Sequence, residues 1–253
     1  MVFAARPPHH GTLARYYVSA ADFCYRVPDT VTLEEAALAE PTAVACAACE
    51  TAGLRPHDRV LVLGCGPIGV LCAAVARQWG AGRVVGVDVV EKRLEVARAF
   101  GADATFVPPP RAEGGDGADP LVHAERVAAE MNRTLGLGEG ADVVLECSGA
   151  EACIQLGIFA ARRGGTMVQV GMGKEVVAFP ITTVITKGLS VKGSIRYRPG
   201  SYPAAIDLIS SGKIDVKRLI TNRYKFEQAE EAFQLVKSGR PDVFKVMIEG
   251  VQL

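Results

Sequence analysis

The chain has 253 residues, 49% hydrophobic, 22% charged and only 6% aromatic, with 27 glycines; this balance excludes a disordered, fibrous or disulfide-scaffolded protein and fits a soluble α/β fold with many tight strand–helix turns. Its 28 Lys and Arg residues balance 28 Asp and Glu, so no broad positive field exists to hold phosphates or an anionic membrane, and neither nucleic acid nor membrane is expected as a partner.

In chain order, residues 1–35 predict strands at Thr12–Val18 and Phe23–Val27, with turn signals at His10-Gly11 and Pro28-Asp29. Pro41–Thr51 reads as an alanine-rich buried helix. From Arg59 the period switches repeatedly between short β-branched runs and helical stretches, the pattern of βαβ units in a parallel sheet. Strands are expected at Arg59–Leu63, Arg83–Val87, Ala104–Val107, Ala141–Leu145, Thr166–Val170 and Leu189–Ser194. Helices are expected at Pro67–Trp79, Lys92–Phe100, Pro120–Thr134, Glu151–Ala160, Ile181–Lys187 and Tyr202–Ser211. Pro108–Asp119, rich in Pro and Gly, reads as a surface loop or insertion. The chain closes on a strand at Thr221–Phe226, a helix at Glu227–Lys237 and a strand at Val243–Glu249. The expected fold is α/β, a doubly wound parallel sheet over residues 36–220, with residues 1–35 and 221–253 forming a small β-rich second unit.

Seven cysteines without framework spacing fit reduced thiols and a cytoplasmic location. Met1–Pro8 has no apolar run of signal-peptide length. Val60–Ala76 carries no charge, but its glycines and Pro67 argue against a membrane span. Cys46-Ala47-Ala48-Cys49 has Cys-x-x-Cys spacing without a second pair, so core packing is expected. His57, His123 and Lys92 read as solvated, and Cys147 as structural.

Gly64-Cys65-Gly66-Pro67-Ile68-Gly69 follows a strand directly and opens a helix, the context that gives Gly-x-Gly-x-x-Gly its meaning. Gly64 permits the tight turn, Gly66 lets backbone N–H groups approach a pyrophosphate, and Gly69 allows close helix packing. The helix N-terminus adds unpaired donors and a positive dipole end. Asp88 closes the next strand, placed to accept hydrogen bonds from ribose hydroxyls and to repel a 2′-phosphate. NAD is therefore expected in preference to NADP.

The chain resembles the medium-chain dehydrogenases, and within them the zinc-dependent polyol branch of the sorbitol and xylitol dehydrogenases. The likeness runs over nearly the whole sequence, through Phe3-Ala4-Ala5, Gly11-Thr12-Leu13-Ala14, Asp22-Phe23-Cys24-Tyr25, Glu40-Pro41, Gly64–Gly69, Gly149-Ala150-Glu151, Gly164-Gly165-Thr166, Gly171-Met172-Gly173, Gly193-Ser194-Ile195-Arg196-Tyr197 and Leu219-Ile220-Thr221. Its Arg-Tyr pair is the discriminating feature.

The resemblance implies a GroES-like identity for the β-rich unit, hydride transfer between a sugar alcohol and NAD to give a ketose, and a homo-oligomer, commonly a tetramer. It implies cofactor contacts at Ile68, Arg93, Val170, Gly171, Met172, Ser194, Ile195 and Arg196, substrate contacts at Arg196 and Tyr197, and a place for Glu40 beside the catalytic zinc and its water. The family's zinc-holding cysteine and His-Glu pair have no counterpart in these residues, and one carboxylate does not replace about three protein ligands. The 253-residue chain is thus expected to bind NAD while holding no stoichiometric zinc, which makes an inactive NAD-binding module the alternative reading. A zinc site rebuilt from His9, His10, Cys24, Cys46 or Glu40 is not expected.

Overall fold

The computed structural model describes residues 10–111 and 119–251. In it the β-branched runs become one six-stranded sheet of β1 (Arg59–Leu63), β2 (Arg83–Val87), β3 (Ala104–Phe106), β4 (Ala141–Glu146), β5 (Ala161–Gln169) and β6 (Ser190–Gly193). Every pairing is parallel and the order is β3-β2-β1-β4-β5-β6, the doubly wound arrangement. All carboxyl ends therefore share one edge, and the order reverses between β1 and β4.

Burial on both faces explains why the central strands read as continuous apolar runs. Along β1, Val60 and Val62 join one core while Leu61 and Leu63 join the other. The first core is closed by α2 (Ala39–Ala52), α3 (Pro67–Gln78), α4 (Glu91–Ala99) and α8 (Ser201–Ser210). The second is closed chiefly by α5 (Pro120–Thr134) and α6 (Glu151–Ala160), with Val184 of α7 (Ile181–Lys187) packed against it. A short α1 (Leu33–Ala36) precedes them, held by a capping box in which Thr32 and Glu35 bond reciprocally.

The C-terminal residues form β7 (Ile220–Tyr224), α9 (Ala229–Lys237) and β8 (Lys245–Ile248), with β7 and β8 paired parallel. The strands expected at Thr12–Val18 and Phe23–Val27 do not form. Residues 10–27 are irregular apart from a 3-10 turn at Ala21–Phe23, and Leu13, Tyr16, Tyr17, Val18 and Phe23 are exposed. A β-branched and aromatic pattern becomes a strand only beside a partner, and no described strand lies beside these residues. The two-stranded sheet is therefore built from the C-terminal residues alone. Within the Pro108–Asp119 stretch, residues 108–111 are irregular, and residues 112–118 lie outside the described set, as do residues 1–9 with Phe3-Ala4-Ala5 and His9. Among the described residues no helix is long and apolar enough to cross a membrane.

At the amino ends of the strands, Asp142 gathers two arginines. Its Oδ2 accepts from the Arg59 backbone N–H at 2.8 Å and from Arg59 Nε at 2.9 Å, while Oδ1 accepts from Arg162 Nε. Burial opposes its charge, but the hydrogen bonds from Arg59 and Arg162 outweigh it and hold the carboxyl well below its ordinary range. A carboxyl depressed by folding contributes stability above its ordinary pKa and loses it as the pH falls. Asp142→Asn is expected to cost about 2 kcal/mol at pH 7, with the deficit shrinking below about pH 4. Denaturant unfolding of both proteins across that range checks it; a deficit independent of pH would refute the ion-pair account.

Candidate functional site

The crevice lies where the loops after β1 and β4 part. Gly64 sits at φ +88°, where a Cβ would lie 2.7 Å from the Ser148 Cβ, so the turn is both left-handed and pressed against its neighbour loop. A Cβ on Gly69 would stand 1.8 Å from the Gly64 carbonyl oxygen, so α3 approaches the turn as closely as its sequence allows. Gly66 differs: its φ of −71° suits any residue and a Cβ there meets nothing within 4 Å. Its missing side chain leaves open space at the amino end of α3. An anion fits that gap, facing unpaired N–H groups and the positive end of the helix.

Asp88 follows β2 beside this turn and is only 7% exposed. Its Oδ2 accepts the Cys65 backbone N–H at 2.8 Å, its Oδ1 accepts that of Val90 at 2.9 Å, and Arg93 Nη1 lies 3.9 Å from Oδ2. The acid expected to read the ribose thus also braces the glycine turn. Cys65, between the glycines, is buried, and burial followed by the Asp88 charge pushes its thiol up to about 12. It is packing against the sheet, not a nucleophile.

At the other end of the crevice, Val170 and Gly171 follow β5 and are half-buried, while Met172 is exposed. Ser194, Ile195, Arg196 and Tyr197 follow β6. Arg196 Nη1 lies 3.4 Å from Oε1 of Glu40 in the first turn of α2, joining two expected site residues 156 positions apart. Tyr197 packs edge-on against Tyr202 at 4.7 Å, and Tyr25 stacks on Tyr202 at 5.0 Å. A cavity of about 170 Å³ beside this group is lined by Phe23, Tyr25, Val31, Ala39, Tyr202 and Ile206. With that mainly apolar lining it does not match a polyhydroxyl compound.

Arg196 is also one of two described non-glycine residues in the left-handed region, at φ +59°. Such a conformation costs about 1 kcal/mol and persists where the surroundings fix it. Arg196→Gly is expected to be more stable than Arg196→Ala by about 1 kcal/mol, since both lose the side chain and only glycine relieves the backbone. Equal midpoints for the two variants in denaturant would show that the backbone is unstrained.

The remaining candidates are structural. Burial pushes the Cys46 thiol up to about 12, and burial again holds Cys49 well above the ordinary thiol range, as befits packing in α2. Cys147 Sγ sits 3.8 Å from Cys72 Sγ inside the fold. His57, His10 and Cys24 are exposed, and His123 is half-buried. Among the described residues no group of three or more His, Cys, Asp or Glu is arranged to hold a metal, and Glu40 has Arg196 beside it. These residues do not fit a catalytic zinc.

Sequence reasoning passed over one residue of the site, Glu146. It ends β4 fully buried, and its carboxylate accepts from the Ser148 and Gly149 backbone N–H groups and from Gln169 Nε2 at 2.6 Å. The only sequence signal was an acid at the end of an apolar strand.

A glycine turn leading into a helix, an acid at the end of the second strand and a reversal of strand order between β1 and β4 place the chain in the doubly wound class. A sequence profile described as zinc-binding dehydrogenase matches residues 67–211, more than half of the chain, and the chain belongs to that family. It is 46% identical over 251 residues to D-xylulose reductase A of Aspergillus niger, covering 99% of this chain and 66% of that protein's length. Among solved structures, L-idonate 5-dehydrogenase of Escherichia coli K-12 superposes with a TM-score of 0.81 at 29% identity, over 97% of this chain and 66% of the other. A protein of Sinorhizobium meliloti 1021, described as a zinc-binding dehydrogenase and solved bound to NADP, gives 0.76 at 27% identity, over 88% of this chain and 62% of the other.

Proposed function

We propose that the chain is the cofactor-binding portion of an NAD-dependent polyol dehydrogenase, interconverting a xylitol- or sorbitol-like sugar alcohol and its ketose. The observation that carries this reading is the Asp88 carboxylate beside the open face of Gly66, on a chain 46% identical to D-xylulose reductase A. A nicotinamide dinucleotide bound there would take up the hydride released when a secondary alcohol becomes a ketone. The chain's own part is to hold the two ends of that molecule. Gly66 faces the pyrophosphate within the turn that Gly64 and Gly69 make possible, Asp88, Ile68 and Arg93 lie toward the adenosine ribose, and Val170, Gly171, Met172, Ser194, Ile195 and Arg196 border the nicotinamide. Arg196 and Tyr197 supply donors that orient sugar hydroxyls, and Glu40 steadies the Arg196 guanidinium.

In this reading residues 36–220 form the dinucleotide-binding domain, and residues 1–35 and 221–253 belong to a GroES-like unit. The residues of β6 are exposed along the open edge of the sheet, which supports a homo-oligomer. Unbridged cysteines support a cytoplasmic location.

The test loads the chain with NADH and follows the fluorescence of the bound nicotinamide as D-xylulose or acetone is added. A response to D-xylulose that acetone does not give, and that Arg196→Ala removes, is the expected result. Failure of NADH to bind sinks the cofactor reading. Indifference of bound NADH to D-xylulose sinks the substrate reading and leaves a dinucleotide-binding module.

A further inference from the structure

We propose that Glu146 and Gln169 act as a positioning pair that shapes the nicotinamide half of the dinucleotide site. The proposal rests on the cofactor reading above and adds residues which that reading does not use.

Glu146 and Gln169 are the last residues of β4 and β5, side by side in the sheet. The Glu146 carboxylate is 0% exposed and collects four donors. Oε1 takes the Ser148 N–H at 2.9 Å, the Ser148 hydroxyl and the Gly149 N–H at 3.1 Å, while Oε2 takes the Gly149 N–H at 2.9 Å and Gln169 Nε2 at 2.6 Å. The Glu146 main-chain carbonyl accepts from Val170 and Gly171, both at 2.8 Å. Gln169 completes the bracket: its Nε2 also donates to the Gly171 carbonyl at 2.8 Å, and its own carbonyl accepts from Ser194 at 2.9 Å. Two side chains and two carbonyls therefore fix the loops after β4, β5 and β6. Both segments assigned to the nicotinamide, Val170–Met172 and Ser194–Arg196, hang from this bracket.

Where these loops cross, no side chain stands between them. A Cβ on Gly149 would lie 2.4 Å from the Met172 carbonyl carbon, one on Gly171 2.2 Å from the Gly149 nitrogen, and one on Gly173 1.8 Å from the Gly149 oxygen. Backbone touches backbone at this crossing, so hydrogen bonds must set its geometry. A buried charge is also a costly way to add mere stability, because apolar residues of similar volume serve about as well or better. Fixing directional bonds to several loops is what a carboxylate does and an apolar group does not.

The adenosine end is held by Asp88 and the glycine turn, which touches the bracket at Ser148, and the two variants below keep the Ser148 bonds to Glu146. A fault in the bracket should therefore weaken the nicotinamide half alone. Glu146→Gln is the sharp variant: the amide oxygen still accepts from Ser148 and, at 3.1 Å, from Gly149, while the new NH2 faces the NH2 of Gln169 and the Gly149 N–H, so the Gln169 link and the shorter Gly149 bond are lost. Gln169→Met keeps volume and removes the donor from the other side, leaving the Glu146 bonds to Ser148 and Gly149 in place.

Calorimetry of NADH and of ADP-ribose, which lacks the nicotinamide, is compared for the wild type and both variants, with the emission maximum of bound NADH as a second readout. NADH affinity is expected to fall about tenfold relative to ADP-ribose in each variant, with bound NADH emission moving toward that of the free form. Equal losses for the two ligands would mean a general structural role and overturn the proposal. So would unchanged affinities with unchanged emission. A wild type that binds neither ligand overturns the cofactor reading itself, and a variant that fails to fold leaves its milder counterpart to decide.

Discussion

Gly66→Val is expected to abolish dinucleotide binding while the protein remains folded. A Cβ at this position meets no atom within 4 Å and the backbone is already extended, so valine brings neither a clash nor strain to the protein. Its two methyl groups instead fill the space in which a pyrophosphate would meet the amino end of α3. A loss of at least about a hundredfold in affinity, about 2.8 kcal/mol, is expected. Calorimetry with NAD, alongside circular dichroism and thermal unfolding, checks both halves. Gly69→Ala makes the contrast, because its Cβ would stand 1.8 Å from the Gly64 oxygen and the fold itself must shift. Wild-type NAD affinity in folded Gly66→Val would remove the cradle from this site.

Asp88→Ser is expected to weaken NAD and to narrow its advantage over NADP. Two unit charges about 4 Å apart interact by about 4 kcal/mol at an effective dielectric near 20. Arg93, 3.9 Å from the carboxylate, offsets part of this repulsion. Removing the charge should shift the NAD/NADP affinity ratio toward NADP by at least about tenfold. Serine is preferred to alanine because Asp88 also accepts the Cys65 and Val90 N–H groups, and its hydroxyl can still serve one of them. Parallel titrations with NAD and NADP measure the ratio, and an unchanged value would remove Asp88 from cofactor discrimination.

What could be read from the sequence was local. The strand Arg59–Leu63, the glycine turn and Asp88 lie within 30 consecutive residues, Arg59–Asp88, and each has a physical signature that needs no distant partner. Glu146 has none of that kind: it is one acid after Val143-Val144-Leu145, and its partner Gln169 lies 23 residues away. The salt bridge between Glu40 and Arg196 is equally a product of the fold. Thr12–Val18 failed for the converse reason, since its pattern is that of a strand but pairing is a property of neighbours. β5 begins at Ala161, earlier than the expected Thr166; Gly164 within that added stretch sits at φ +69° and the register with β4 shifts between Ala141 and Val143, an irregularity set by the neighbouring strand. The short α1 carried a readable signal, Thr32 and Glu35 at capping-box spacing, masked by a helix of only 4 residues.

The bond from the Cys65 N–H to Asp88 bears on how quickly and how selectively a ligand is received. A phosphate-binding turn that must wait for its guest to take shape loses chain entropy at the moment of binding. On the cofactor reading proposed above, the carboxylate that would meet the ribose also braces the turn, so recognition of the sugar and the shape of the phosphate site would be set by one group. On that reading a nucleotide would enter as a piece into a mould shaped by the protein's own hydrogen bonds, and one substitution at Asp88 would disturb the sugar and phosphate sites together.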